Sequence, residues 1–477
     1  MPLATALPSP LHHIHVMGVG GTAMAALAGM LKDAGYHVTG SDTAVYPPMS
    51  TYLAAMGIAV KSGYVAANLE PRPDLVVVGN VMRADYEESK ALLASDIPYV
   101  SFPQLLGLRF LASAHSIVIA GTHGKTTTTS IVAWLFEHAG RAPGFLIGGV
   151  AKNFDRTARA GAGDYFVVEG DEYDTAFFDK GPKFWHYQPK TAIVTSVEFD
   201  HADIYRDLDH VKSAFRKFVG LIPPDGLLVV REDDAGARDI SDAAACEVWR
   251  YGPGQPWDGR IDRVDTTTGD TTFTVLRDGA EVGTFTSCMA GEHNLYNQVA
   301  AVAVAIRHGL SVDEIAGGLA SFLGIKRRQE IIGEPGGVTV IDDFAHHPTA
   351  VKVTLEALRM RFGRRRLWAI WEPRSATSRR AIFQEAYAAA FDDADQVIVA
   401  APFDQTRIDE EDRFSAEKLV QDMNARGVDA IVLPDADAIA ATVAARANPA
   451  DVVAILSNGG FGGLHTKLLT MLATRFG

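Results

Sequence analysis

Short β-branched runs separated by longer amphipathic stretches recur along the whole chain, and that alternation restricts it to α/β folds built on parallel sheets. Three blocks show it. In the first, "HIHVM", "YHVTGSD" and "DLVVVGN" read as strands, with the helix "TAMAALAGMLKDAG" between the first two. In the second, "HSIVIA", "YFVVEGDE", "TAIVTSVEFDH" and "GLLVVRED" are strands, and "TTTTSIVAWLFEHAG" is a helix. Between residues 258 and 290 the pattern changes to turns and alternation, "RIDRVDTTTGDTTFTVLRDGAEVGTFTS", which predicts a small antiparallel appendage closed by the helix "HNLYNQVAAVAVAIRHG". The third block, from about Arg328, holds "VTVIDDF", "RLWAIWE", "QVIVAA", "AIVLP" and "DVVAILS". A chain of 477 residues has room for about three domains, so each block is expected to be one doubly wound unit.

The charge balance narrows the partners. With 58 acidic against 44 basic residues the net charge is −14, which argues against nucleic acid or an anionic membrane as the main partner. Two cysteines, Cys246 and Cys288, are too few for a disulfide framework and point to a reducing compartment. The opening "MPLATALPSP" has no basic residue and reads as a tail rather than a signal peptide. No segment approaches the roughly 18 apolar residues of a membrane helix, and a cytoplasmic location is expected.

Two glycine-rich turns follow strands and open helices. In "HVMGVGGTAMAALA", Gly18, Gly20 and Ala23 satisfy G-x-G-x-x-[GA], and Asp42 ends the next strand. Such a turn lets backbone approach a diphosphate at a helix N-terminus, so NAD, FAD or a UDP-linked substrate would each fit. The second turn, "AGTHGKTTTTS", is shorter than the familiar G-x-x-x-x-G-K-[ST] loop, because Ile119 stands where its first glycine belongs and Gly121 takes over. Backbone from Gly121 through Thr122, His123, Gly124 and Thr127 can wrap phosphates. Lys125 can reach the terminal ones, and the Thr126 hydroxyl can join Mg²⁺. Glu169 and His201, both after strands, are candidate metal ligands, although "EGDEYD" would also serve as a solvated acidic turn. A diphosphate site and a triphosphate site on separate sheets do not describe a simple dehydrogenase.

Together "GTHGKTTT", "EGDEYD", "EFDHAD", "GEHNLYNQVAA", "KRRQE" and "DDFAHHP", in this order, resemble the Mur ligases, the ATP-dependent amide-forming enzymes of bacterial cell-wall synthesis. In that family the shortened loop is the normal form. The resemblance implies three domains: a Rossmann-like UDP-sugar domain over 1–112, a P-loop ATPase-like domain over 113–327 and a Rossmann-like amine-substrate domain over 328–477. It implies ATP and Mg²⁺ as cofactors, with Lys125 and Thr126 serving both. Glu169 and His201 would hold metal, His293 and Asn297 would lie near adenine, Arg328 would reach the γ-phosphate, and Asp343, His346 and His347 would help seat the nucleotide. His201 cannot be both a metal ligand and a free base, so the general base stays unassigned. Several family members carry a lysine whose carbamate supports a metal. Phe215 occupies that position here, so no carbamate is expected.

Two branches of the family compete, one adding L-alanine and one adding the tripeptide L-alanyl-γ-D-glutamyl-meso-diaminopimelate to UDP-N-acetylmuramate. "GSDTAVYPPMSTYL", "EGDEYDTAFFDKGPKFWHYQP", "WEPRSATS" and "SNGGFGGLHTKLL" resemble the tripeptide branch. The UDP-sugar would then meet Gly18, Gly20, Gly21, Thr22, Ser41 and Asp42. Tyr46 and Thr51 either touch it too or simply belong to a proline-fixed turn with Ser50 capping the next helix. Arg374, after "RLWAIWE", is either a reader of the tripeptide's carboxylates or a surface arginine beside Arg379 and Arg380. An NAD enzyme would leave Lys125 unexplained. A degenerate regulatory scaffold should have lost at least one of Lys125, Glu169, His201 and Arg328.

Overall fold

A computed structural model describes residues 6–476, so the first five residues of the N-terminal tail lie outside it. The three blocks form three main sheets. The first has five parallel strands in the order third, second, first, fourth, fifth, with His13–Met17 at its centre between His37–Asp42 and Leu75–Val78. The third has six strands. Thr339–Asp343, Val452–Leu456 and Leu367–Trp371 run parallel side by side, and Glu330–Gly333 is antiparallel at one edge.

The central sheet has ten strands. At its heart His115–Ala120 lies between Thr191–Val194 and Tyr165–Gly170, all parallel. The expected antiparallel appendage exists and continues the sheet. Trp257–Val264 joins the edge strand Glu247–Tyr251 through one residue pair, Tyr251 with Trp257, and carries Thr271–Arg277 and Ala280–Ser287 beyond it. The helix Glu292–Arg307 covers this junction so closely that a Cβ on Gly259 would meet Val299 and Leu295 under 3 Å away.

One expectation fails locally. Ser50 does not cap the helix Met49–Ala55: Pro48 occupies the N-cap with no side-chain capping bond, and Ser50 lies within the first turn. The second proline fixes the chain one position earlier, where the missing N–H of proline costs the helix nothing.

Both faces of the parallel strands at the centre of each main sheet are buried, as parallel sheets require. One face of the first sheet shares a continuous apolar cluster with the central sheet, running from Ile14 and Val16 through Phe102 and Phe110 to Phe166, Phe184 and Phe215. The two clusters of the third sheet contain no buried residue before Val338. Its seam with the central sheet is instead marked by polar contacts such as Thr349 to Glu198 and Thr377 to Asp200, each 2.7 Å. No helix among the described residues is long and apolar enough to cross a membrane.

At the N-terminal ends of the central strands, His115 and His308 both contact the Thr191 hydroxyl, at 2.9 and 3.2 Å, with their rings 4.6 Å apart. Burial, then His115 and Arg307, push His308 down to about 4. The unfolded chain, with histidine near 6.5, therefore binds more protons below that pH. This contribution to stability is complete above pH 6.5 and drains as pH falls toward 4. Urea midpoints at pH 7.5 and 5.0 should differ, and His308→Gln should narrow the gap. An unchanged gap would place the acid sensitivity elsewhere.

Candidate active site

The strand His115–Ala120 delivers Gly121 at φ 137°, and Gly124 at φ 82° begins the helix Lys125–His138. Both glycines are required twice over. The angles suit only glycine, and a Cβ would lie 2.9 Å from the Ser196 amide nitrogen at Gly121 and 2.6 Å from Asn297 Oδ1 at Gly124. The neighbouring strand end braces the turn: Thr122 N donates to Ser196 O and His123 N to Ser196 Oγ, each 2.9 Å, while Glu198 N donates to Thr122 Oγ1 at 2.8 Å. The free amides and dipole of the following helix make this an anion site.

Charges converge on the loop. Lys125 Nζ lies 2.8 Å from Glu172 Oε2, donates to Thr122 O at 3.3 Å and also reaches Gly121 O. Burial opposes the Lys125 charge, but Glu172 beside it overrides this and raises its pKa. Burial likewise opposes the Glu172 charge, and Lys125 with His201 reverse the effect and lower it. His201 Nε2 is 3.3 Å from the same carboxylate, so Glu172 touches both the expected phosphate-binding lysine and an expected metal ligand. On the other side, Thr126 Oγ1 donates to Glu169 Oε1 at 3.0 Å, and Gly148 N donates to Glu169 Oε2 at 2.7 Å. Arg328 Nη2 reaches Thr126 Oγ1 at 3.3 Å. Burial pushes the Glu169 carboxyl up. The structure thus brings Thr126 and Glu169 together, while His201 rests on Glu172.

Glu172, Glu198 and Asp200 are site residues that sequence reasoning passed over. All three lie in segments flagged for other residues, "EGDEYD" and "VEFDH". Beyond a strand end the alternation that tells inward from outward stops, so the pattern could not choose among neighbouring carboxylates. Asp200 accepts from Thr377 Oγ1 and lies 3.9 Å from His346 Nε2. Its burial is outweighed by His201, His346 and His347, which hold it well below the usual carboxylate range. Asn297 stands against Gly124. His293 Nε2 lies 3.4 Å from Gln329 Nε2, and burial pushes it down to about 4. Asp343 accepts from the amides of Gln329 and Ala345, both 2.7 Å, which ties the turn after Arg328 to the third sheet.

In the first sheet, Gly18 N and Val19 N donate to Ser41 O, and Gly20 N donates to Asp42 Oδ2 at 2.9 Å. Asp42 also accepts from Tyr64 Oη at 3.2 Å. Ser41 is buried, and its hydroxyl donates to Glu88 Oε1 at 3.0 Å. Gly21 and Thr22 open the helix Thr22–Asp33 on the exposed rim. Tyr46 is 73% exposed, and neither it nor Thr51 makes a side-chain hydrogen bond among the described residues. A Cβ on Gly20 would come within 2.8 Å of Asp42 Oδ2. Gly20→Val is therefore expected to displace this turn and raise the KM for a UDP-sugar far more than that for ATP. Equal effects on both would reverse the assignment of the two loops.

Arg374 follows the strand Leu367–Trp371 at the sheet's carboxyl edge. Its Nη1 is 3.4 Å from Glu372 Oε1, and its guanidinium lies 4.1 Å above the centre of the Phe403 ring. Its side chain remains 34% exposed, held at the surface by these two contacts. Phe215 is fully buried against Phe184. The lysines flanking it are engaged elsewhere, Lys212 with Asp239 and Lys217 over the Trp185 ring.

Three family models match the chain in tandem: "Mur ligase family, catalytic domain" over residues 13–113, "Mur ligase middle domain" over 119–305 and "Mur ligase, glutamate ligase domain" over 327–459. The chain is 42% identical to the UDP-N-acetylmuramate–L-alanyl-γ-D-glutamyl-meso-2,6-diaminoheptandioate ligase of Escherichia coli K12, across 97% of this chain and 98% of that one. Identity to the UDP-N-acetylmuramate–L-alanine ligase of Desulfitobacterium hafniense is 32%, across 94% and 97%. The crystal structure of a murein peptide ligase from Psychrobacter arcticus superposes with a TM-score of 0.69 at 36% identity, covering 97% of this chain and 99% of that one.

Proposed function

The chain belongs to the Mur ligase family, and we propose that it joins L-alanyl-γ-D-glutamyl-meso-diaminopimelate to UDP-N-acetylmuramate at the expense of ATP, in the cytoplasm. Residues 1–112 would present the UDP-sugar, 113–327 the ATP and 328–477 the tripeptide. The observation that carries the reading is Arg328 donating to Thr126, a cation from beyond the central sheet brought onto the phosphate loop. A carboxylate is a poor electrophile, so the muramyl carboxylate first takes the γ-phosphoryl group as an acyl phosphate, and the amine of the peptide then displaces phosphate. Both steps build negative charge on oxygen, which fixed cations stabilise.

In this scheme Lys125 releases Gly121 O for the phosphates, with Glu172 and His201 keeping its ammonium aligned, and Arg328 faces the γ-phosphoryl group. His293 and Asn297 border the adenine, and Asp343, His346 and His347 fix the nucleotide from the third sheet. Thr126 and Glu169 supply the hard oxygen donors Mg²⁺ prefers, and a cation there would offset the burial that pushes Glu169 up. Bound there, Mg²⁺ would neutralise charge on the phosphate oxygens.

Phosphate release from ATP, measured with UDP-N-acetylmuramate plus either the tripeptide or L-alanine, tests the reading. Release with the tripeptide and little with alanine is expected. The reverse would move the chain to the alanine-adding branch.

A further inference from the structure

Beside the phosphate loop, three metal-ligating side chains from three elements face one another. His123 lies in the loop, Glu198 follows the strand Thr191–Val194, and His347 is the N-cap of the helix Pro348–Phe362. We propose that His123, Glu198 and His347 form a binding site for a divalent transition-metal ion of the zinc class, separate from the Mg²⁺ position at Thr126 and Glu169.

One ligand atom from each residue lies within 4.8 Å of the other two. His123 Nε2 is 3.7 Å and His347 Nδ1 3.8 Å from the same oxygen, Glu198 Oε2. These separations are too long for hydrogen bonds. They are a few tenths of an ångström wider than the roughly 3.4 Å between tetrahedral ligands about 2.1 Å from one ion. The two histidine nitrogens lie within 4.8 Å of each other, so binding an ion would draw the two rings together over Glu198.

The histidine nitrogens are also unpartnered. His347 is 3% exposed, and among the described residues neither of its buried ring nitrogens has a hydrogen-bond partner, nor does His123 Nε2. Buried polar atoms are rarely left so, and a shared ligand would satisfy those that face Glu198. Glu198 is already oriented, because Thr349 Oγ1 donates to Oε2 at 2.7 Å, as the supporting partner of a metal-bound carboxylate does.

Two imidazoles and one carboxylate select zinc-type ions over Mg²⁺, which takes oxygen ligands. Three protein ligands leave a fourth position for water or a substrate oxygen. Because His347 comes from the third sheet and the other two from the central sheet, an ion here would rivet the two units together at the phosphate loop.

The test uses the full chain, stripped with chelator, free of nucleotide and held in millimolar Mg²⁺ so that oxygen-rich positions are filled. Zn²⁺ retention after dialysis, and the visible bands of Co²⁺ added as a probe and displaced by Zn²⁺, are measured for five proteins. The unmutated chain and Glu169→Gln should each retain one tight equivalent and show tetrahedral Co²⁺ bands. His347→Gln, His123→Gln and Glu198→Gln should bind at least a hundredfold more weakly. Circular dichroism melts of the metal-free variants separate loss of ligand from loss of fold, and the two histidines lie on different elements, so a misfolded His347→Gln still leaves His123→Gln to decide. Absence of a stoichiometric equivalent in the unmutated chain, its survival in folded His123→Gln or His347→Gln, or its loss in folded Glu169→Gln would each overturn the site. Ligase turnover is not a readout here, so these outcomes are independent of the amine substrate.

Discussion

Lys125→Ala is expected to lower ATP-dependent amide formation a hundredfold or more and, separately, to weaken the fold. The first effect is the loss of one fixed cation at developing phosphate charge, about 3 kcal/mol. The second follows from Glu172, whose side chain is 3% exposed and would lose its 2.8 Å partner. Breaking a buried pair from one side costs about 3–5 kcal/mol, and His201, 3.3 Å away, keeps the loss toward the lower end. The two effects come apart in a double variant. Adding Glu172→Gln removes the stranded charge, so the melting temperature should recover while turnover does not. Near-normal turnover in Lys125→Ala would remove this loop from the chemistry. A double variant that melts no higher than the single one would mean the buried pair is not what holds this corner.

Arg374→Ala should reduce kcat/KM for the tripeptide by about 2–4 kcal/mol, the range for truncating one partner of a buried charge pair, with the KM for ATP unchanged. A planar fork held by Glu372 and stacked on Phe403 is pre-set to receive a carboxylate in two-point fashion. Arg374→Lys keeps the charge but loses both the fork and the stacking, so it should fall between the two. Steady-state kinetics with tripeptide and with L-alanine decide the matter. Efficient alanine addition with the tripeptide ignored would end both this role and the choice of branch.

The sheets were legible because their strands are apolar throughout: "HSIVIA" and "DLVVVGN" bury both faces, and such runs have few other uses. Strands that lack such runs went unread. Arg156–Arg159 and Glu247–Tyr251 are short, polar and carried by their neighbours in the sheet, so only tertiary pairing reveals them. In the site, Lys125 and Thr126 were readable because a phosphate loop has fixed spacing. Glu172 was not, because its importance lies in touching Lys125 from 47 residues away, at the end of another strand. The antiparallel appendage expected near residue 258 is present and continues the central sheet at its edge. The turn-rich sequence reported antiparallel pairing correctly but held nothing to say where the first of its strands would dock.

The three units are not bonded to one another by the same means. The first and central sheets share buried phenylalanines, so parting them would bring apolar area into water, at roughly 25 cal/mol per Å². The third sheet keeps its large apolar clusters to itself, and it meets the central unit through hydrogen bonds from Thr349, Thr377 and Arg328, the Lys152–Glu330 ion pair and small apolar contacts at Phe199–Phe383 and Gly291–Ala357. Water can replace such bonds at a net loss of only about 0.5–1.5 kcal/mol each. Parting the third unit would therefore break mainly polar contacts, whereas parting the first from the central sheet would split a continuous apolar cluster.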